Sequence, residues 1–344
     1  MAALRNSGVK TNDIYLISIL IREFSNGQTK TSGLLKEFDL NKSRLRSEYI
    51  QAKLKIPAYI DSQENIKYAR INTLKTGVQD LCSKLENFKQ VQHRPCVNEY
   101  RKDPHMDFLL QFDSSQDISL LEAYKQGELI IQDKASCIPV FVLDPIPGSI
   151  VIDACAAPGN KTTQIAASIG SRGRVIAFEK DPKRFQSLLK MVKTSGAVVE
   201  CQNKDFLKCA PLANIDYIVV DPSCSGSGMH LSVEKQMQKK SLIDTQERLK
   251  NLSSFQKMIL KHALSFPNAK KVVYSTCSIH EEENEQVVED ALNQFPSWKL
   301  VKCPFPDWKS RGLDKYSFSQ DVIRSFPEIN DTIGFFVACF EKIK

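Results

Sequence analysis

From residue 149 to the end of the chain, short apolar runs alternate with stretches of helical pattern, and this alternation limits the fold more than any other feature. The runs are Ser149–Ala154, Arg174–Phe178, Val198–Gln202, Tyr217–Val220 and Lys271–Tyr274, followed by Trp298–Val301 and Gly334–Phe340. Strands separated by helix-length segments point to a parallel, doubly wound α/β sheet, because each crossover helix lies over one face of the sheet. The final two runs would close that sheet with a hairpin-like excursion. In such sheets ligands bind at the carboxyl ends of the strands, so chemistry is expected in the residues that follow each run.

The preceding half has a different texture. Asp13–Glu23 reads as a strongly apolar helix and Ser43–Lys55 as a basic one carrying Arg44, Arg46, Lys53 and Lys55. Residues 1–60 hold ten Lys/Arg against five Asp/Glu, so +5 of the net +7 sits there. That asymmetry hints at an anionic partner, although a solvated helical surface would give the same count. Tyr68–Asn72 is strand-like, Thr76–Phe88 helical, and Phe108–Phe112 and Leu129–Ile131 apolar, which suggests a small α+β unit joined onward through Asp144-Pro-Ile-Pro-Gly. No apolar run approaches the roughly 18 residues of a membrane span, and the start lacks a signal-peptide core, so the chain reads as intracellular with no membrane partner. Ten scattered cysteines without a C-x-x-C pair read as reduced thiols, most of them small core residues. The five histidines are not spaced like metal ligands, and no metal is expected.

The strand ends carry the candidates. The first opens into Asp153-Ala-Cys-Ala-Ala-Pro-Gly-Asn-Lys-Thr-Thr, a small-residue loop before a helix that lets backbone approach a ligand. It is neither G-x-G-x-x-G nor G-x-x-x-x-G-K-[ST], so a dinucleotide or P-loop phosphate site is not supported. Glu179, after the second strand, is placed to accept from a ribose, whereas Asp181 before Pro182 fits a helix cap. Asp205, after the third, is a candidate for the amino group of a nucleoside. The fourth strand emerges into Asp221-Pro-Ser-Cys224-Ser-Gly-Ser-Gly and the fifth ends in Tyr274-Ser-Thr-Cys277-Ser. Two thiols and a carboxyl at the ligand edge of one sheet suggest chemistry over packing.

At these residues the sequence resembles the Sun-type (Fmu/RsmB-like) RNA cytosine-5 methyltransferases over roughly residues 69 to 342. Arg70-Ile-Asn-Thr-Leu-Lys, Gly127-Glu-Leu-Ile-Ile-Gln-Asp-Lys-Ala-Ser and Gly334-Phe-Phe-Val-Ala add to the strand-end motifs. Asn160, where most members have a second glycine, and Ser223, where most have proline, look like the eukaryotic branch acting on large-subunit ribosomal RNA. The resemblance implies a Rossmann-like class I fold with a seven-stranded doubly wound sheet, divided as a helical N-terminal region (1–68), an RRM-like α+β unit (69–136) and a catalytic domain (137–344). It implies S-adenosylmethionine as cofactor, held by Cys155, Ala156, Ala157, Pro158, Gly159, Asn160, Lys161, Glu179, Arg184 and Asp205, with Asp221 at the boundary with the base. Cys277 would add to C6 of cytosine, Asp221 engage N3 through a protonated carboxyl, and Cys224 assist release after methyl transfer. The implied partner is large-subunit ribosomal RNA or its precursor particle, gripped partly by the RRM-like unit. A monomer in the nucleus and nucleolus is expected.

Other readings stay open on sequence alone. In a DNA cytosine-5 methyltransferase the attacking thiol would be Cys224. The chain would also suit a ribosome-assembly factor in which catalysis is secondary, or a small-molecule or protein methyltransferase in which the two thiols are incidental.

Overall fold

The computed structural model describes residues 66–91, 100–229, 242–302 and 304–343, and the helices expected at 13–23 and 43–55 lie outside them. The chain divides into two units at Glu64/Asn65, and all described residues belong to the second.

Two sheets organise that unit. The smaller is antiparallel, in the order β2-β3-β1-β4, from β1 (Ile66–Ile71), β2 (Tyr100–Lys102), β3 (Leu109–Asp113) and β4 (Leu129–Ile131). Helix α1 (Val78–Val91) and a short turn of helix at Glu122–Lys125 complete a β-α-β-β-α-β order. Side chains alternate across β1: Ala69 and Ile71 join Leu81, Leu85, Leu110 and Phe112 in the small unit's own core. Tyr68 joins the core of the larger sheet together with Leu109 of β3. The expected limits at 68/69 and 136/137 both fall inside elements, since β1 begins at Ile66 and α2 spans Lys134–Leu143.

The larger sheet runs β10-β12-β9-β8-β5-β6-β7, with an eighth short strand, β11, paired to β12. Its members are β5 (Ile150–Asp153), β6 (Arg174–Phe178), β7 (Glu200–Gln202), β8 (Tyr217–Val220), β9 (Lys271–Thr276), β10 (Trp298–Leu300), β11 (Ile323–Ser325) and β12 (Phe335–Lys342). The first five are parallel, and β12 enters antiparallel between β9 and β10. The expected doubly wound Rossmann-like sheet is therefore present, with β11 as an addition to the seven strands.

Burial on both faces explains why the central strands are continuously apolar. Val151, Tyr217, Val219 and Val273 face one core, with Ile138, Val140, Ile165 and Ile169 from α2 and α3 (Asn160–Ile169). Ile152, Ile218, Val220, Val272 and Tyr274 face the other, against Ile259, Leu260, Val287 and Val288 from α5 (Leu242–Leu264) and α6 (Glu285–Gln294). Between α3 and α5 in sequence, α4 (Pro182–Ser195) starts at Asp181, whose carboxylate accepts from the Lys183 and Arg184 amides at 2.8 Å with Pro182 in the first turn. Asp181 is thus the cap its sequence suggested. No helix among the described residues is long and apolar enough to cross a membrane.

Candidate active site

The carboxyl ends of the five parallel strands converge on one edge, and each carries sequence-predicted residues. After β5, the loop 154–159 leads into α3. Its inner part is packing: Ala156 and Ala157 are buried with Ala177 and Leu188. Gly159 sits at φ 114°, where a Cβ would come within 3.0 Å of Met191, so both conformation and space call for glycine. Pro158 is exposed. Arg184 of α4 donates to the Ala157 carbonyl at 2.7 Å and stands 3.6 Å from Glu179, tying the loop to the end of β6. Glu179 is buried and accepts from the Asp181 amide at 2.9 Å.

These groups border an open cleft of about 360 Å³ lined by Cys155, Glu179, Arg184 and Asp205 together with Phe178, Phe206, Phe255 and Ile259. Lys180, which also lines it, sits 5.0 Å over the Phe255 ring. Apolar walls with a few carboxylates suit a nucleoside, whose flat base and hydroxyls need those two kinds of surface. Asp205 also caps a short turn, accepting from the Leu207 amide at 3.1 Å. The other cofactor candidates, Ala156, Ala157, Pro158, Gly159, Asn160, Lys161 and Asp221, lie outside that lining.

Beside the cleft, the ends of β8 and β9 bring the two thiols together: Cys224 Sγ and Cys277 Sγ are 3.2 Å apart and both partly exposed. Asp221 lies with them. Its Oδ1 accepts from Ser275 at 2.7 Å and its Oδ2 from Lys161 at 2.7 Å. Lys161 also donates to Ser136 at 3.1 Å and lies 5.3 Å over the Phe335 ring. Burial alone would lower the Lys161 pKa, but the Asp221 carboxylate outweighs it, helped by Asp153 and Cys277, so the ammonium is held more firmly than usual.

The two thiols are pushed in opposite directions. The hydrogen bond from Cys224 lowers the Cys277 pKa against burial and the Asp221 charge, and Lys161 adds to the lowering. Cys224 is raised, by the same hydrogen bond first, then by burial and the Cys277 charge. Cys277 is thereby the more acidic sulfur of the pair and Cys224 the less acidic one. At the foot of the loop Asp153 is buried, accepts from Thr162 at 2.7 Å, and is pushed up to about 6, chiefly by burial.

A family model described as the 16S rRNA methyltransferase RsmB/F matches residues 140–341, more than half of the chain. The chain belongs to the RsmB/F methyltransferase family. It is 40% identical over 339 residues to the 25S rRNA (cytosine-C(5))-methyltransferase of Schizosaccharomyces pombe, covering 91% of this chain and 73% of that protein. It is 39% identical over 292 residues to the 28S rRNA (cytosine-C(5))-methyltransferase of Mus musculus, covering 80% of this chain and 62% of the relative. Among solved structures, a methyltransferase homologue from Pyrococcus horikoshii superposes with a TM-score of 0.67 at 28% identity, over 80% of this chain and 86% of that one.

Several contacts of this RsmB/F-family site have no signal in the sequence. Lys161 sat inside a loop assigned to cofactor, and only the fold turns its ammonium onto Asp221. Ser275 follows the expected strand Lys271–Tyr274 and is in fact its continuation, two residues before Cys277, where it is a donor to Asp221. Arg70 of the small sheet is buried and donates to Gln132 at 2.8 Å and to Thr163 of α3 at 3.0 Å. Gln132 in turn donates to Gln164 at 2.9 Å. The small sheet therefore braces the helix that follows the cofactor loop. Among the described residues no group of three His, Cys, Asp or Glu could hold a metal ion.

Proposed function

We propose that the chain is an S-adenosylmethionine-dependent methyltransferase acting on C5 of a cytidine in large-subunit ribosomal RNA, with Cys277 as the attacking thiol. The single observation that carries this is the 3.2 Å thiol pair set against the Asp221–Lys161 ion pair at the ligand edge of the sheet. The names of its relatives supply the RNA class.

The cleft fits the cofactor: Phe178, Phe206 and Phe255 offer apolar surface for an adenine, and Glu179 and Asp205 offer acceptors for hydroxyl or amino groups. Cys155 would border its amino-acid end, and Arg184 holds the Cys155 loop in shape. Bound there, S-adenosylmethionine supplies an electrophilic methyl group. Cytosine C5 is a weak nucleophile until a thiolate adds at C6, which turns the ring into an enamine. Cys277 makes that addition as thiolate, its charge steadied by the Cys224 proton and the nearby Lys161.

Addition puts electron density on N3. Asp221 was expected to meet it as a protonated carboxyl, but both its oxygens accept, from Ser275 and Lys161. It therefore serves as a carboxylate that aims the Lys161 ammonium, and Lys161 provides the positive charge or proton at N3. Carbon–sulfur bond formation removes the Cys277 charge and hydrogen bond, the causes that raise Cys224 most apart from burial. Cys224 is then more easily deprotonated. It releases its own proton to solvent and, as thiolate, takes the C5 proton, while the C5–H electron pair forms the C5–C6 double bond and expels Cys277 as thiolate.

A base inside a duplex cannot reach two thiols at a strand end, so an unpaired or flipped-out cytidine is the substrate. The reading also includes a division into the N-terminal region 1–68, the RRM-like unit 69–136 and the catalytic domain 137–344, with action in the nucleolus, where large-subunit rRNA is made. Bisulfite sequencing of large-subunit rRNA from cells with and without the gene tests it. One cytidine should lose its methyl group and regain it with the wild-type protein but not with Cys277→Ala. An unchanged methylation map would refute the substrate assignment.

A further inference from the structure

The run Glu281-Glu-Glu-Asn-Glu285 follows the second thiol and reads as a solvated acidic turn. The fold does the opposite with its last three residues: Glu283, Asn284 and Glu285 are each 0% exposed. Glu285 has a charged partner, Arg324, which donates to it at 2.6 Å. Glu283 has none among its hydrogen-bond partners, and what it touches instead is specific. Its Oε1 accepts from the Ser225 amide at 2.9 Å and from Gln256 at 2.9 Å, and its Oε2 accepts from the Ser278 hydroxyl at 2.5 Å. Ser225 directly follows Cys224, and Ser278 directly follows Cys277. One buried carboxylate thus grips the residue after each thiol.

The surrounding bonds serve the same end. Gln256 also donates to the Ser223 carbonyl, on the near side of Cys224, at 3.0 Å. Asn284 donates to the Ser278 carbonyl at 2.9 Å, and the Ser278 hydroxyl lies within 3.2 Å of both Ser225 and Ser227. The Gly228 amide donates to the Cys277 carbonyl at 3.0 Å. Such a network suits an acceptor-only side chain, since three donors converge on Glu283 from three directions. A loop with this much small-residue content, Ser225-Gly-Ser-Gly228, has little packing of its own to fix where Cys224 sits.

The geometry points to Glu283 as the residue that sets the spacing of the two thiols, a positioning residue for the reaction proposed above. This rests on Cys277 and Cys224 being the working thiols. The same carboxylate contributes to keeping Cys224 protonated, which is the state that donates to Cys277. Glu283→Gln keeps the size but turns an N–H toward one of the donors, so the two loops lose their common anchor.

The test uses the full chain as Glu283→Gln, with Glu282→Gln as control because the Glu282 side chain is exposed. Three quantities are read: kcat and the cofactor KM for methylation of an rRNA fragment, and the pH midpoint for iodoacetamide alkylation of Cys277, followed by peptide mass spectrometry. A displacement of about 1 Å at reacting groups lowers rate by roughly a hundredfold, so kcat should fall about 10- to 100-fold while the cofactor KM stays within about twofold. The Cys277 midpoint should rise as the Cys224 donor moves away. Glu283→Gln with kcat and midpoint matching Glu282→Gln overturns the inference, as does a loss confined to KM. Should Glu283→Gln not fold, Ser278→Ala removes the Cys277-side tether alone: a raised midpoint with a lower kcat supports the assignment, and wild-type values refute it. Wild-type protein that methylates nothing defeats the functional reading, and the alkylation midpoints then decide this one.

Discussion

Replacing Cys224 by alanine should make Cys277 a weaker acid, and the size of the change can be worked from the contact between them. The Cys224 thiol lies 3.2 Å from the Cys277 sulfur, and its hydrogen bond is the largest influence lowering the Cys277 pKa. Hydrogen bonds to charged groups contribute about 1.5–3 kcal/mol, and a thiol is a weak donor, so the lower end applies. At 1.36 kcal/mol per pH unit this corresponds to a rise of about one unit. Thiolate nucleophilicity grows with pKa at a Brønsted slope of about 0.4–0.5, so the plateau rate at high pH should rise about threefold. The assay is the pH–rate profile of iodoacetamide alkylation at Cys277, resolved by peptide mass spectrometry from the other thiols. Buried Cys137 and Cys339 should stay slow, since both are pushed up to about 12. The Cys224→Ala profile should move up by about one unit and end about threefold higher. Cys224→Ser, which keeps a donor, should move less. If only access had changed, the plateau would rise with the midpoint fixed, and an unmoved or lowered midpoint refutes the coupling.

Other consequences follow from named contacts. With rRNA and cofactor, Cys224→Ala should accumulate a covalent protein–RNA adduct on denaturing gels, whereas Cys277→Ala should form none; the reverse pattern would exchange the two roles. Lys161→Met removes the partner of a mostly buried ion pair and the charge near N3, and loss of a charge-stabilising donor costs about 10²–10³ in kcat; a single-turnover rate within tenfold of wild type would remove Lys161 from the chemistry. Arg70→Met leaves buried acceptors on Gln132 and Thr163 without their donor, at about 1–3 kcal/mol each, and urea denaturation should show a loss of about 2–6 kcal/mol. Asp153 has a folded pKa of about 6, above its usual value, so its contribution is fully present below pH 4 and is lost as pH rises toward 6. That gives a slope of about 1.4 kcal/mol per pH unit across the window, which urea titrations should find in wild type and miss in Asp153→Asn.

The parts of this protein that were legible beforehand are those whose physics is local. Tyr217–Val220 and Arg174–Phe178 appear in the structure with the expected limits, because a parallel strand buried on both faces is apolar along its length, here after an exposed first residue in Arg174–Phe178. Val198 was expected to begin a strand, yet β7 starts at Glu200: an edge strand has little core to mark where it begins. The site divides along the same line. Thiols at strand ends are visible because topology alone gathers strand ends on one edge. Glu283 was invisible because acidic runs are ordinarily solvated, and nothing in Glu-Glu-Glu-Asn-Glu says which members turn inward. The role of Lys161 was hidden for a related reason, since its partner Asp221 stands 60 residues away on another strand.

The small sheet carries a consequence for how RNA is held. In an RRM, exposed aromatics on the sheet surface stack bases. Here that face is spent on internal packing: Tyr68 is buried and donates to the Asp331 carbonyl at 2.8 Å, Leu109 belongs to the main core, and Arg70 reaches Thr163 of α3. A base cannot stack where a helix already lies. The unit's bearing on methylation therefore runs through α3, whose first residues include Asn160 and Lys161, and any grip on RNA must come from its edges and loops. Salt sensitivity of RNA binding and sensitivity of catalysis to Arg70 should accordingly be separable: Arg70→Met should lower turnover while leaving the slope of log affinity against log salt unchanged, because the buried guanidinium neutralises no phosphate.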